Sequence, residues 1–166
     1  MCQRILVRAD ITVHPSRECP CGKKAVHQYL SKVSGPLLDR LDLHVEVPPV
    51  EFNDLSSSEK AKSSAEIKKR VDRVRKIQNE RFKGTGITCN ARITPSLLHK
   101  MCPLDEKAKN ILKKTFDSMG LSARAYNRIL KAARTVADLD GSDVIKAQHI
   151  FEAVQYRSLD RKYRNR

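Results

Sequence analysis

Two arginines stand where a guanidinium is useful to a phosphate. Arg40 follows the helix-breaking Gly35-Pro36 pair and immediately precedes the alternating stretch Leu43-His44-Val45-Glu46-Val47, a loop corner from which it can reach outward. Arg124 falls in the first turn of an expected helix capped by Ser122, where the macrodipole disfavours a cation. A cation in an unfavourable place is a candidate for a functional one. The plainer alternative is that Arg40 pairs with Asp39 or Asp42 and that Arg124 is simply solvated, as most surface arginines are. The usual means of holding a nucleotide are missing. No G-x-x-x-x-G-K-[ST] loop occurs to cradle phosphates with backbone N–H groups, and no apolar strand ends in Asp-Glu to hold Mg²⁺. Alone, the chain has no evident way to bind and hydrolyse a nucleotide.

Positive charge is concentrated between Lys60 and Lys83, with ten Lys/Arg against three Asp/Glu, and again between Arg157 and Arg166, with five against one. On a helix, Lys68, Lys69, Arg73, Lys76 and Lys83 cover the surface away from an Ile67/Val71/Val74 stripe. That surface is either a solvated face supported by pairs such as Glu66–Arg70 and Asp72–Lys76, or a sequence-independent contact to DNA phosphates. Five cysteines, Cys2, Cys19, Cys21, Cys89 and Cys102, do not form a secreted disulfide pattern. Cys102, before a proline at a helix junction, is expected to be packed rather than reactive.

These groups must be positioned by 166 residues of net charge +14, 40% apolar and without Trp. The apolar content favours a folded protein over a basic tail, the charge asks for an acidic partner, and the few aromatics count against a stacking platform for single strands. No apolar run approaches a membrane span, and Met1 to Val13 lacks the uninterrupted hydrophobic stretch of a signal peptide, so a cytoplasmic protein with no membrane partner is expected. A short helix is expected around Val26, Tyr29, Leu30 and Val33, then a strand over 43–47 closed by Pro48-Pro49. A serine-rich connector precedes a long helix capped by Ser63 or Ser64, with Ile67, Val71, Val74, Gln78 and Phe82 on one face, ending at Gly84-Thr85-Gly86. Thr94-Pro95 starts a short helix carrying Leu97, Leu98 and Met101. Leu104, Ala108, Ile111, Leu112 and Phe116 form the next stripe, stopped by Gly120. The helix after Ser122 buries Tyr126, Ile129, Leu130, Ala133, Val136 and Ala137 and stops at Gly141. A last helix follows Ser142, with Ile150, Val154 and Phe151 inward.

The strings Ser34-Gly-Pro-Leu-Leu-Asp-Arg-Leu-Asp-Leu-His-Val-Glu-Val-Pro48, Cys102-Pro-Leu-Asp, Gly120-Leu-Ser-Ala-Arg-Ala-Tyr-Asn-Arg-Ile-Leu-Lys-Ala-Ala-Arg-Thr-Val-Ala-Asp-Leu139 and Ala153-Val-Gln-Tyr-Arg157 carry a resemblance. In order and spacing, from about His14 to Arg161, the chain resembles the C-terminal part of magnesium-chelatase-like AAA+ ATPases of the ComM/YifB type. The resemblance implies that Arg40 is an arginine finger reaching a neighbouring subunit's nucleotide, and that Arg124 is the sensor-2 arginine at the start of a lid helix. Such placements stabilise charge on a transferring phosphoryl group and make hydrolysis depend on assembly. It further implies ATP and Mg²⁺ as cofactors of the full-length protein, none bound by this chain alone. The partners implied are the AAA+ core of the same or neighbouring subunits in a hexamer, and DNA, remodelled by branch migration during natural transformation. Relatives carry upstream a Lon-protease-like domain and a core with Walker A, Walker B and a sensor-1 Asn, which Met1 to Val13 does not resemble; a truncated or split protein is therefore expected. Cys19 and Cys21 resemble half of a paired cysteine cluster able to hold Zn²⁺. With only Cys2 and His14 nearby to complete four ligands, no metal site is expected.

The expected fold is mainly α: a helical lid bundle of an AAA+ ATPase at residues 90–166, a linker and long basic helix at 50–89, and a small α/β remnant of the AAA+ core at 1–49. The function expected is the supply of Arg40 and Arg124 to ATP sites of a ring oligomer. The alternatives are a non-enzymatic basic helical module that binds nucleic acid, through Lys68, Lys69, Arg73 and Lys76, and a magnesium-chelatase ATPase subunit proper.

Overall fold

The structure is a computed structural model that describes residues 24, 28, 40–45, 47, 50 and 62–157. Among these residues it is mainly helical, as expected for a lid bundle. Its elements are α1 (Ser64–Arg81), two single 3₁₀ turns (Asn90–Arg92 and Pro95–Leu97), α2 (Leu98–Met101), α3 (Glu106–Met119), α4 (Ala123–Asp140) and α5 (Ala147–Gln155). No helix among the described residues is long and apolar enough to cross a membrane.

Each long helix has its ends fixed by local chemistry. Ser63 caps α1 in a reciprocal box: its hydroxyl accepts from the Glu66 N–H at 3.3 Å, and the Glu66 carboxylate accepts from the Ser63 N–H at 2.8 Å. Asp105 caps α3 by accepting from the Ala108 N–H at 2.6 Å, and Ser122 caps α4 by accepting from the Ala125 N–H at 3.1 Å. Gly120 and Gly141 end α3 and α4 in the left-handed region, at φ 55° and 71°, as the sequence predicts. At α5 the Lys146 N–H donates to His149 Nδ1 at 3.0 Å.

The centre of the bundle is α4, which packs against α5, α1, α2 and the first 3₁₀ turn, while α3 packs against α5. Ala125, Ile129, Ala133 and Ala137 recur every four residues and are fully buried, so small side chains let the neighbouring helices approach closely. Around them lie Ile93, Leu98, Cys102, Ala108, Leu112, Leu130, Ile145, Ile150 and Ala153. A parallel bridge between Leu104 and Ile145 ties the starts of α3 and α5 together: the Ile145 N–H donates to the Pro103 carbonyl at 2.8 Å, and the Asp105 N–H to the Ile145 carbonyl at 3.1 Å.

Several expectations are corrected. No strand forms among the described residues of 43–47. Leu43, Val45 and Val47 are exposed, and the His44 N–H donates to the Tyr156 carbonyl at 2.7 Å rather than to a neighbouring strand, without which alternation alone makes no ladder. Of that stripe only Val74, Gln78 and, just past the helix end, Phe82 are buried; Ile67 and Val71 are half exposed because α4 covers only the C-terminal part of the stripe. That helix ends at Arg81, before the glycines. Glu66 is engaged at the cap and Asp72 pairs with Lys68 at 2.7 Å, so the Glu66–Arg70 and Asp72–Lys76 pairs do not form. Thr94 makes no cap bond to the backbone; its hydroxyl meets that of Ser96 at 3.0 Å, and the Pro95 turn is 3₁₀ before α2 begins. Ser142 does not start α5, since its hydroxyl donates to the Val144 carbonyl at 2.8 Å and the helix waits until Ala147. Phe151 faces solvent at 56% exposure. Lys24 and Gln28 have helical backbone where the short early helix is expected, while Val26, Tyr29, Leu30 and Val33 lie outside the described residues, as do Cys19, Cys21 and the 1–23 stretch of the expected core remnant.

Candidate functional site

Arg124 is the second residue of α4. The Ser122 cap sets the helix phase so that Ala125 is fully buried and Arg124, one residue earlier, is exposed, with no ion-pair partner among the described residues. One turn further on, Arg128 forms an ion pair with Asp42. The residues after Arg40 are thereby fixed to the lid. Besides Asp42, the Leu41 carbonyl accepts from the Arg157 guanidinium at 2.9 Å, and the His44 N–H is held by Tyr156. Arg157, 1% exposed, is a buried cation spanning the end of α5 and this segment. Asp42 pairs with Arg128 and makes no ion pair with Arg40, which sits exposed in a turn; Asp39, the other carboxylate expected beside it, lies outside the described residues.

A buried polar cluster, absent from the sequence reading, orients α4. Arg81 donates to both oxygens of Asp138, at 2.7 Å to Oδ2, and to Asn90 Oδ1 at 3.2 Å. Asn90 donates to Asp138 Oδ2 at 2.8 Å and to Thr135 Oγ1 at 3.1 Å. Arg134 Nε reaches Asp138 Oδ1 at 3.1 Å, while its other nitrogens donate to the carbonyls of Ser142 and of Asp143, the latter at 2.6 Å. Asp138, Arg134 and Asn90 are each 1% exposed. Burial pushes the Asp138 carboxyl up, yet hydrogen bonds from Arg81 and Asn90 and the charge of Arg134 outweigh it and hold the group below its usual range. Burial lowers the Arg134 pKa, with the Asp138 charge opposing, and the Asp138 hydrogen bonds raise that of Arg81. The cluster locks α1, α4 and the loop after α4 into one register. Its signal in the sequence was Arg134 and Asp138, four residues apart and flanking the Ala133/Ala137 stripe, where solvated charges have no room.

The basic face of α1 is exposed, and Lys69, Arg73 and Lys76 follow the i, i+4, i+7 spacing of one stripe opposite Val71. Not all of it is free for a ligand. Lys68 pairs with Asp72, and Arg73 donates to the Leu139 carbonyl at 2.8 Å, bonding the helix to the C-terminal end of α4. Cys102 is 2% exposed and burial pushes its thiol up to about 11, so it is packed and unreactive, as expected. Among the described residues no group of three or more His, Cys, Asp or Glu is placed to hold a metal ion.

This helical lid, with a polar-locked central helix carrying an exposed arginine in its first turn, has a family. Residues 61–157 match the family model described as magnesium chelatase, subunit ChlI C-terminal, residues 6–55 match that of magnesium chelatase, subunit ChlI, and the chain belongs to this family. Within it the chain is similar to the competence protein ComM of Haemophilus influenzae, at 39% identity over 82% of this chain and 26% of the relative. It is also similar to the uncharacterized protein YifB of Salmonella typhimurium, at 41% identity over 85% of this chain and 27% of the relative, and to YifB of Escherichia coli, at 39% over the same shares. The chain spans about a quarter of the length of these curated relatives. The family match reaches back to residue 6. The resemblance to the upstream family sequence thus includes most of the stretch before His14, which carries no motif of its own to reveal it.

Proposed function

We propose that this chain is the lid-bearing C-terminal part of a ComM/YifB-type AAA+ ATPase, and that it supplies Arg40 as an arginine finger in trans and Arg124 as a sensor-2 arginine to ATP sites of a cytoplasmic ring oligomer that remodels DNA. The observation that carries the reading is the fastening of the Arg40 segment, through Asp42–Arg128 and Leu41–Arg157, to the helix whose first turn holds Arg124. The lid then presents two exposed guanidinium groups on one fastened body. The residues fit an anionic nucleotide: both arginines are exposed, and neither has a carboxylate partner among the described residues. ATP with Mg²⁺ would supply the phosphoryl group and its charge. The chain's own contribution is to bind and orient phosphate oxygens by charge-assisted hydrogen bonds and to offset negative charge as it develops. Arg128 and Arg157 act as positioning residues for Arg40.

Purified alone, the chain is expected to show no ATP turnover. Mg-dependent hydrolysis that survives Arg40→Ala contradicts the proposal. A second reading, a basic module that binds nucleic acid without catalysis, is supported by the exposed Lys69/Arg73/Lys76 stripe of α1. Phosphate contacts of that kind are sequence-independent and weaken steeply with salt.

A further inference from the structure

Between α1, α4 and the first 3₁₀ turn lies a cleft of about 310 Å³, to whose lining neither Arg40 nor Arg124 contributes. Its walls are mostly apolar: Val71 and Val74 come from α1, Leu139 from α4 and Ala91 from the 3₁₀ turn. The apolar surface continues past the cleft along α1. Ile67 is 50% exposed and Val71 47%, and with Val74 they keep the i, i+4, i+7 spacing of a single face about two turns long.

The charge at this surface is of one sign. No Asp or Glu is among the described residues that line the cleft, and the exposed Arg75 is their one charged group. A second cation is bonded to the wall: Lys131 Nζ donates to the Ala91 carbonyl at 3.0 Å, one turn of α4 before Thr135, which also lines the cleft. Neither cation pairs with a carboxylate among the described residues. Asp72 and Asp138, next in sequence to Val71 and Leu139, are engaged by Lys68 and by Arg81 and Arg134. An apolar face edged by cations that no carboxylate neutralises is matched by an occupant that is apolar on one side and acidic beside it. A DNA backbone brings the negative charge but nothing to cover Ile67 and Val71. A small organic anion fits the cleft but not the stripe beyond it. A helix with apolar residues at i, i+4 and i+7 covers both.

We propose that the cleft and the Ile67/Val71 stripe form a docking groove for an acidic amphipathic helix of a partner protein. The apolar side chains of that helix lie on Ile67, Val71 and Leu139, and its flanking carboxylates meet Arg75 and Lys131. The groove is on the Val71 side of α1, away from Lys69 and Lys76, so docking here is separable from any phosphate contact made by the basic stripe.

The test uses the 166-residue chain and a fluorescein-labelled peptide of about 18 residues, long enough to hold a helix, with leucine along one face and glutamate elsewhere. Its anisotropy titration should give a dissociation constant of about 100 μM or tighter, with amide chemical-shift changes at Ala91 and Leu139. A peptide of the same composition in scrambled order, and one with lysine in place of glutamate, should each bind at least about tenfold more weakly. Val71→Ser and Arg75→Glu, both at exposed positions, should each weaken binding about tenfold, while Lys69→Glu, the same charge change on the opposite side of α1, should alter it less than about threefold. The proposal is overturned if the leucine–glutamate peptide does not saturate by about 1 mM, if the scrambled or lysine peptide matches it, or if Val71→Ser leaves its affinity unchanged. It is equally overturned if Arg75→Glu and Lys69→Glu behave alike, or if random-sequence duplex DNA in place of the peptide produces the same shifts at Ala91 and Leu139.

Discussion

Removing the Asp138 carboxylate is the most informative perturbation of this fold. Asp138 has no exposed side-chain area, and it is the common acceptor for Arg81, Arg134 and Asn90. Asp138→Ala leaves the Arg134 guanidinium, whose side chain is 1% exposed, beside Arg81 with only uncharged acceptors, the Ser142 and Asp143 carbonyls and Asn90 Oδ1, to offset two positive charges. Breaking a buried pair by removing one partner costs about 3–5 kcal/mol, because the remaining charge is uncompensated. Against a total stability of about 5–15 kcal/mol that is a large share. With a urea dependence of about 1–3 kcal/mol per molar, the unfolding midpoint should fall by about 2 M. Asp138→Asn keeps the shape and one acceptor oxygen and should cost less. The pH dependence has a definite sign. The native carboxyl lies below its unfolded value, so its stabilisation is fully present above about pH 4 and is lost as pH falls through the native pKa. A midpoint shift below about 0.5 M for Asp138→Ala, with an unchanged urea slope, would refute the view that this cluster fixes α1 to α4.

Arg128→Ala should change global stability by less than about 1 kcal/mol, since Asp42 is 65% exposed, yet it should speed amide hydrogen exchange at His44 by freeing the segment that follows Arg40; unchanged exchange there contradicts the fastening. Gly141→Ala places a Cβ at φ 71° and should cost about 1–2 kcal/mol in a urea melt, although nothing lies within 4 Å of the added atom. If α1 contacts DNA, binding to random-sequence duplex should weaken linearly in log salt, and Lys69→Ala with Lys76→Ala should each flatten that slope by about one unit; a slope unaffected by either places the contact elsewhere.

The lid was legible wherever a local rule decided the outcome. The Ser63 and Ser122 caps, the left-handed Gly120 and Gly141 and the buried Ile129, Ala133 and Ala137 all follow from short-range rules, and each is found where the sequence places it. What escaped was set at long range. The alternating 43–47 stretch cannot show which group accepts from the His44 N–H, and that acceptor is Tyr156, over a hundred residues away. Asp42 reads equally well as a partner for Arg40 beside it or for Arg128, and the fold chooses the latter. Phe151 looks like core by composition but lies on the side of α5 that no described element covers. Arg134 and Asp138 flank the buried Ala133/Ala137 stripe, but nothing near them in the chain says that Arg81 and Asn90 close over them.

The central claim, proposed above, is that Arg40 and Arg124 act on a bound nucleotide; the chain spans about a quarter of its relatives' length. The most direct measurement is steady-state ATP hydrolysis by a chimera in which residues 14–161 replace the matching C-terminal part of the Escherichia coli YifB relative, assayed with and without Arg40→Ala and Arg124→Ala. The account predicts Mg-dependent turnover by the chimera, a loss of about 10³-fold or more in kcat for Arg40→Ala, restoration of activity when the Arg40→Ala chimera is mixed with subunits that keep Arg40 but carry a disabled Walker A lysine, and impaired turnover for Arg124→Ala. Turnover unchanged by either substitution would contradict it.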